Sequence, residues 1–180
     1  MSLDRSDMLD AIAEAQDNRF FGKYRGSVQN NIDPMGRGRI QVIVPEVLGT
    51  STPVWALPCS PYAGPGVGFF ALPPVGANVW VEFEAGNLRY PIWAGCFWGE
   101  GDLDNVDAQP TVAFLKTDAG MLRIDQNTSE VKIEVNGATI TLTPGEIRIE
   151  APTITNDANG GKTQLTPAGF DAQQGAFKVI

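Results

Sequence analysis

Apolar and polar side chains alternate through most of this chain, and the pattern changes character twice along it. Val79, Val81 and Phe83 alternate with Trp80, Glu82 and Glu84, the two-residue period of a strand with one buried face. Ile40, Val42 and Val44 likewise share one side; Ile43 breaks the strict pattern and Pro45 ends the run. Further strands are predicted over residues 24–28, near Val54 and over residues 90–96. Turn-rich stretches separate them, above all residues 61–76, where Gly and Pro restrict the backbone around Phe69 and Phe70. Five short strands with such punctuation suit a small barrel, closed or partly open, of the OB-fold kind. A compact sandwich is the competing layout.

Ahead of this block the period is helical. Met8, Leu9, Ile12 and Ala15 fall on one face of a helix predicted over residues 6–18, with Ser6 as N-cap and Asp7 and Asp10 in the first turn. The face is narrow, so the helix needs support from its own domain or from a partner.

Beyond it, residues 99–110 are acidic, Gly-bearing and nearly free of large apolar side chains, the composition of a linker. Strict alternation then returns. Leu122 and Ile124, then Val131, Ile133 and Val135, then Ile140 and Leu142, then Ile147 and Ile149 each mark one face, with a shorter run around Ile154. Arg, Lys, Glu and Thr occupy the opposite positions, and Asn127, Asn136-Gly137 and Pro144-Gly145 fall between strands as turns. No aromatic residue occurs between Met121 and Phe170, and no helix follows to cover the aliphatic face. Small sheets need a second layer. The economical expectation is that identical copies cover one another as an intertwined triple-stranded β-helix with those nine side chains on its axis; a single-chain solenoid is the other closure. The fold class is thus all-β: a helical segment (1–19), an OB barrel (20–98), a linker (99–110) and a trimeric needle (111–180).

Charge and chemistry narrow the function. A net charge of -8 weighs against a nucleic-acid partner. The complete lack of histidine removes the commonest general base and metal ligand. Cys59 and Cys96 cannot make a conventional zinc site; they could pair if the strand ends carrying them are neighbours, but are expected to be small buried apolar residues. The opening residues do not have the pattern of a signal peptide, and no apolar run approaches the roughly 20 residues of a membrane span. Synthesis in the cytoplasm is expected. Glu82 and Glu84 share one strand face, and Asp102, Asp104 and Asp107 cluster in the linker. The stronger readings are the solvated side of an alternating strand and an ordinary acidic linker. Neither a nucleophile elbow nor a P-loop nor an HExxH spacing occurs. No enzymatic activity, cofactor or metal is expected.

Several motifs taken together resemble a known group. They are Phe20-Phe21-Gly22-Lys23-Tyr24-Arg25-Gly26, Asp33-Pro34-Met35-Gly36-Arg37-Gly38-Arg39-Ile40, Trp55-Ala56-Leu57-Pro58-Cys59, Gly68-Phe69-Phe70-Ala71-Leu72-Pro73-Pro74-Val75-Gly76 and Pro91-Ile92-Trp93-Ala94-Gly95-Cys96-Phe97-Trp98. In this order they resemble the OB domain of central spikes of contractile injection machines: phage baseplate assembly protein V, the VgrG spikes of type VI secretion, and tailocin spikes. The resemblance covers about residues 20–98. It implies a homotrimer whose barrels surround the base of a β-helical needle, joined to a baseplate hub protein and driven mechanically through a target cell envelope. Phe69 and Phe70 would then pack between barrels or against the hub. Some short spikes of the group end in a histidine-rich apex holding iron, which a chain without histidine cannot build. Phe177, Lys178, Val179 and Ile180 would instead form a platform for a PAAR-type tip protein, or the last core layer of the needle. The alternative is an OB-fold module binding a carbohydrate or other ligand through Phe69, Phe70, Trp80 and Trp98.

Overall fold

The computed structural model describes Arg5, Leu9, residues 19–172 and residues 177–179. Of the helix expected over residues 6–18 only Leu9 is among them, in helical conformation; the rest of that expectation lies outside the described residues. The chain divides into two compact units, Met1–Asp102 and Leu103–Ile180.

In the first unit the strands are β1 (Tyr24–Asn30), β2 (Ile40–Val44), β3 (Gly49–Pro58), β4 (Ala63–Gly64), β5 (Val67–Gly68), β6 (Asn78–Phe83) and β7 (Pro91–Cys96). They form a closed barrel in the order β1-β2-β3-β7-β6, with β4 and β5 as a separate small hairpin. Closure of β6 onto β1 removes the sandwich alternative. The alternation seen in the sequence is the inside-outside alternation of the barrel. Val28, Ile40, Val42, Val44, Ala56, Val79 and Val81 are fully buried and Phe83 nearly so, while Ile43, Trp80 and Glu82 point to the other side. Pro45 does end β2, and it opens a single helical turn, Pro45–Leu48, that the sequence had not announced. Proline has no N–H to lose at a first helical position.

The two similar segments beginning at Trp55 and Trp93 lie side by side. β3 and β7 run parallel, with Leu57 opposite Ile92 and Pro58 opposite Trp93, and the Cys59 amide donates to the Trp93 carbonyl at 2.9 Å. The cysteines depart from expectation: both are free and exposed. They lie where these strands run out beside an open groove, not in the core.

The second unit contains β8 (Val112–Lys116), β9 (Met121–Asp125), β10 (Glu130–Val135), β11 (Ala138–Thr143), β12 (Glu146–Glu150), β13 (Ile154–Ala158), β14 (Gly161–Thr166), β15 (Gly169–Ala172) and β16 (Phe177–Val179). They pair as two antiparallel meanders, β12-β11-β10-β9-β8 and β13-β14-β15-β16. Within each meander the strands pair in sequence order, and among the described residues no further pairing winds them into a solenoid. At the turn between β10 and β11, Asn136 and Gly137 have φ of 44° and 86°. Positive φ at both central residues is what a type I′ hairpin turn requires.

Candidate functional site

Two surfaces carry the residues singled out from the sequence. The first is on the barrel. The Asp33–Arg39 loop is built around one carboxylate: Asp33 Oδ1 accepts from the Met35 amide at 3.0 Å, and Oδ2 accepts from the amides of Arg37 at 2.8 Å and Arg39 at 3.2 Å. The Arg39 guanidinium adds bonds to Oδ1 from Nε at 3.1 Å and Nη2 at 2.7 Å, and its Cζ lies 4.9 Å from the centre of the Trp55 ring. The arginine side chain, followed by those backbone amides, holds the Asp33 carboxyl well below the usual carboxylate range against the opposing effect of burial.

Next to this loop is an open groove of about 1040 Å³, bordered by Gly38, Pro58, Tyr62, Phe69, Phe70 and Trp93 among others. The loop bearing the two phenylalanines is held by the Phe69 amide bonding to the Tyr62 carbonyl at 2.9 Å. The Ser60 hydroxyl donates to the carbonyls of Tyr62 at 3.0 Å and Phe69 at 3.2 Å. Phe69 is 56% and Phe70 76% exposed. Two large rings on a fixed loop, beside an apolar groove, form a surface suited to a protein partner. Trp93 is the contributor the sequence did not single out; its indole Nε1 donates to the Gly38 carbonyl at 3.3 Å. Trp80 is not a free ring. It packs on Phe97 at 4.6 Å between centroids, with the Arg25 guanidinium 5.1 Å from its centre. Trp98 is exposed.

The second surface belongs to the β8–β12 sheet. Pairing places Ile124, Val131, Leu142 and Ile147 in one cross-strand row, and Leu122, Ile133, Ile140 and Ile149 in the next. Val135 continues the same face, opposite Ala138. β8, missed in the sequence, extends it: Ala113 pairs with Ile124 and Leu115 with Leu122. The other face takes the charges. Arg123 pairs with Asp125 at 3.1 Å, Lys132 with Glu134 at 2.6 Å and Arg148 with Glu146 at 2.8 Å. Desolvation raises the Asp125 carboxyl, but the Asn127 and Thr128 amides and Arg123 outweigh it and leave it below its ordinary value.

All nine aliphatic residues therefore share one uncharged face; eight of them are exposed in the single chain, from 38% at Leu122, Ile140 and Leu142 to 72% at Ile147, and Val131 is half-buried. None of the described residues in Leu103–Ile180 is fully buried, though several are half-buried. Fully burying a wholly exposed side chain of this kind is worth about 1.5–3 kcal/mol, and these side chains forgo the share that their exposure leaves open.

The remaining candidates fall elsewhere. The Glu82 carboxylate pairs with Lys23, and Glu84 begins a separate 3-10 turn. In the linker, Asp102 Oδ2 accepts from the Gly99 amide at 2.6 Å, Asp104 Oδ1 from the Val106 amide at 3.0 Å, and Asp107 pairs with Lys116 at 3.1 Å. These carboxylates fold their own turns. Among the described residues no group of three His, Cys, Asp or Glu is placed to hold a metal. At the C-terminal end, Phe177 is exposed, its ring edge-on to Phe170 with centroids 6.4 Å apart. Lys178 and Val179 are in register with Asp171 and Phe170, and Ile180 lies outside the described residues.

Residues 24–98 match the family model of the type VI secretion system/phage-baseplate injector OB domain. That range takes in the whole closed barrel, so the likeness is between this barrel and the injector OB domain. A comparison with curated proteins gave no match.

Proposed function

We propose that this chain is the structural central spike of a contractile tail or injection particle, acting without catalysis. In this reading the barrel, an injector-type OB domain by its family match, seats the protein on a baseplate hub through the Phe69-Phe70 surface. The second unit supplies one of the three chains of an intertwined homotrimeric needle. The observation that carries the reading is the uncharged aliphatic face of β8–β12, largely exposed in a unit whose described residues are nowhere fully buried. Such a unit has no core to offset the entropy of ordering its chain. Three copies meeting along that face would give it one, with the charged rows outward. Tail machinery is arranged about an axis, and a symmetric homo-oligomer is the arrangement in which one surface can cover itself.

A needle built this way unfolds only as it dissociates, and rigidity is the property that mechanical penetration of a cell envelope demands. Phe177 and its neighbours in β16 would face a PAAR-type tip protein. Net charge of -8 disfavours a nucleic-acid role. The particle would be assembled in the bacterial cytoplasm, as part of a virion or of an injection system.

Light scattering on a size-exclusion column tests the reading: three chains per particle are expected. A monomer would overturn it and favour a ligand-binding OB module, for which the groove beside Phe69 and Phe70 is the site.

A further inference from the structure

The β13–β16 sheet also has an apolar face, and it contains one polar interruption. Ile154, Leu165 and Phe170 form a cross-strand row. Two residues along each strand, hence on the same face, the next row reads Asn156, Thr163, Ala172 and Phe177. The edge-on contact of Phe170 and Phe177 fits this assignment. Within the second row the Asn156 amide Nδ2 donates to the Thr163 hydroxyl at 3.3 Å. A matching pair stands on the opposite, polar face, where Gln164 Nε2 donates to Thr155 Oγ1 at 3.4 Å. The two pairs join the same two strands one register step apart and differ in which face they occupy.

We propose that the Asn156–Thr163 pair is a register-setting layer in the association of copies of this chain. The inference rests on the trimer reading above and adds to it what fixes the axial alignment. Aliphatic rows alone are a poor ruler, because a slip of two residues replaces one branched side chain by another at little cost. A hydrogen-bonding layer flanked by apolar rows breaks that degeneracy. The bond within each chain leaves the Asn156 Oδ1 and second N–H and the Thr163 O–H to be met; in the aligned assembly those groups of three copies meet one another, and in a slipped one they are buried against aliphatic groups. A polar group at one position of an apolar seam specifies register in coiled coils for this reason.

The test is a set of variants of the full chain, compared by the temperature of dissociation and by native mass. Thr163→Val and Asn156→Leu alone each leave one partner unpaired and should lower the dissociation temperature by about 4–8 °C. The Thr163→Val/Asn156→Leu double variant removes both partners and should recover that loss while populating more than one assembly. Thr155→Val, on the polar face, should change neither readout. The exchanged variant Asn156→Thr/Thr163→Asn keeps a polar layer and should remain a single species. A double variant that is one uniform trimer, or a Thr155→Val effect equal to that of Thr163→Val, would overturn the layer while leaving the trimer intact. A wild-type protein that is monomeric removes the trimer itself, and the layer with it.

Discussion

Arg39 donates twice to one oxygen of Asp33, from Nε at 3.1 Å and Nη2 at 2.7 Å, while the other oxygen collects the amides of Arg37 and Arg39. The Asp33 side chain is only 3% exposed, so this is an enclosed carboxylate whose charge is balanced locally. The pair sets the loop between β1 and β2 and carries Arg39 onto Trp55. An Asp33→Asn variant loses the charge and one acceptor oxygen, and its barrel should melt several degrees lower at neutral pH. The sign of the pH dependence follows from the depressed carboxyl. Its contribution is complete above the unfolded value of about 4 and is lost as pH falls through the lower folded value. Thermal melts of both proteins should therefore differ by a constant amount above about pH 5 and converge in stronger acid. A constant gap down to the lowest accessible pH would contradict the assignment.

Gly86 is a tight backbone site of the barrel unit, and it makes a second prediction. Its φ is +74°, and a Cβ there would lie 2.9 Å from Arg19 Cβ and 3.1 Å from the Phe20 amide nitrogen. Its own carbonyl accepts from that Phe20 amide at 2.9 Å. A Gly86→Ala substitution combines left-handed strain with overpacking and should cost about 2–4 kcal/mol. Denaturant unfolding of the barrel would measure it. Gly36→Ala is the control, since it shares a positive φ of 62° and meets nothing within 4 Å; it should cost about 1 kcal/mol.

How much of this was legible in the sequence depended on whether periodicity was kept. Val79, Val81 and Phe83, or Val131, Ile133 and Val135, state their faces outright, and the structure buries the first set and aligns the second. β8 was missed because Phe114 sits on the charged face, opposite Arg123, and spoils the alternation of Val112–Lys116. The Asn159-Gly160 turn has the same positive φ pair as Asn136-Gly137, at 50° and 95°. It went unread because the strands flanking it carry so few apolar residues. The exposed cysteines were misjudged because composition speaks for the average thiol, whereas the end of a parallel strand pair opens onto solvent. Asp33 gave no signal as a hub of hydrogen bonds; five donors converging on one carboxylate is a property of a turn's geometry, not of its letters.

The proposed hub contact at Phe69 and Phe70 can be tested separately from folding. Both rings are more than half exposed, so their loss should change barrel stability by no more than about 0.5–1 kcal/mol. A Phe69→Ala/Phe70→Ala variant should fold normally and fail to co-purify with the baseplate hub. Retention of hub binding by a well-folded double variant would remove these rings from the interface.

The aliphatic face makes the sharpest prediction, because its two sides can be tested against each other in one strand pair. Ile133 stands between Leu122 and Ile140 in the middle of the uncharged face, and its neighbour Lys132 is paired across to Thr141 on the charged one. An aspartate at Ile133 would enter the axis of the proposed trimer in three copies, each an uncompensated buried charge costing about 3–5 kcal/mol. An aspartate at Thr141 would enter a row that already holds Arg123, Lys132 and Arg148. Ile133→Asp should therefore abolish trimers at any concentration practical for light scattering, and Thr141→Asp should leave them unchanged. In a monomer both positions face water, and the two substitutions would be equally mild. A soluble, fully assembled Ile133→Asp trimer would mean that copies meet elsewhere and that the face is covered by something other than itself.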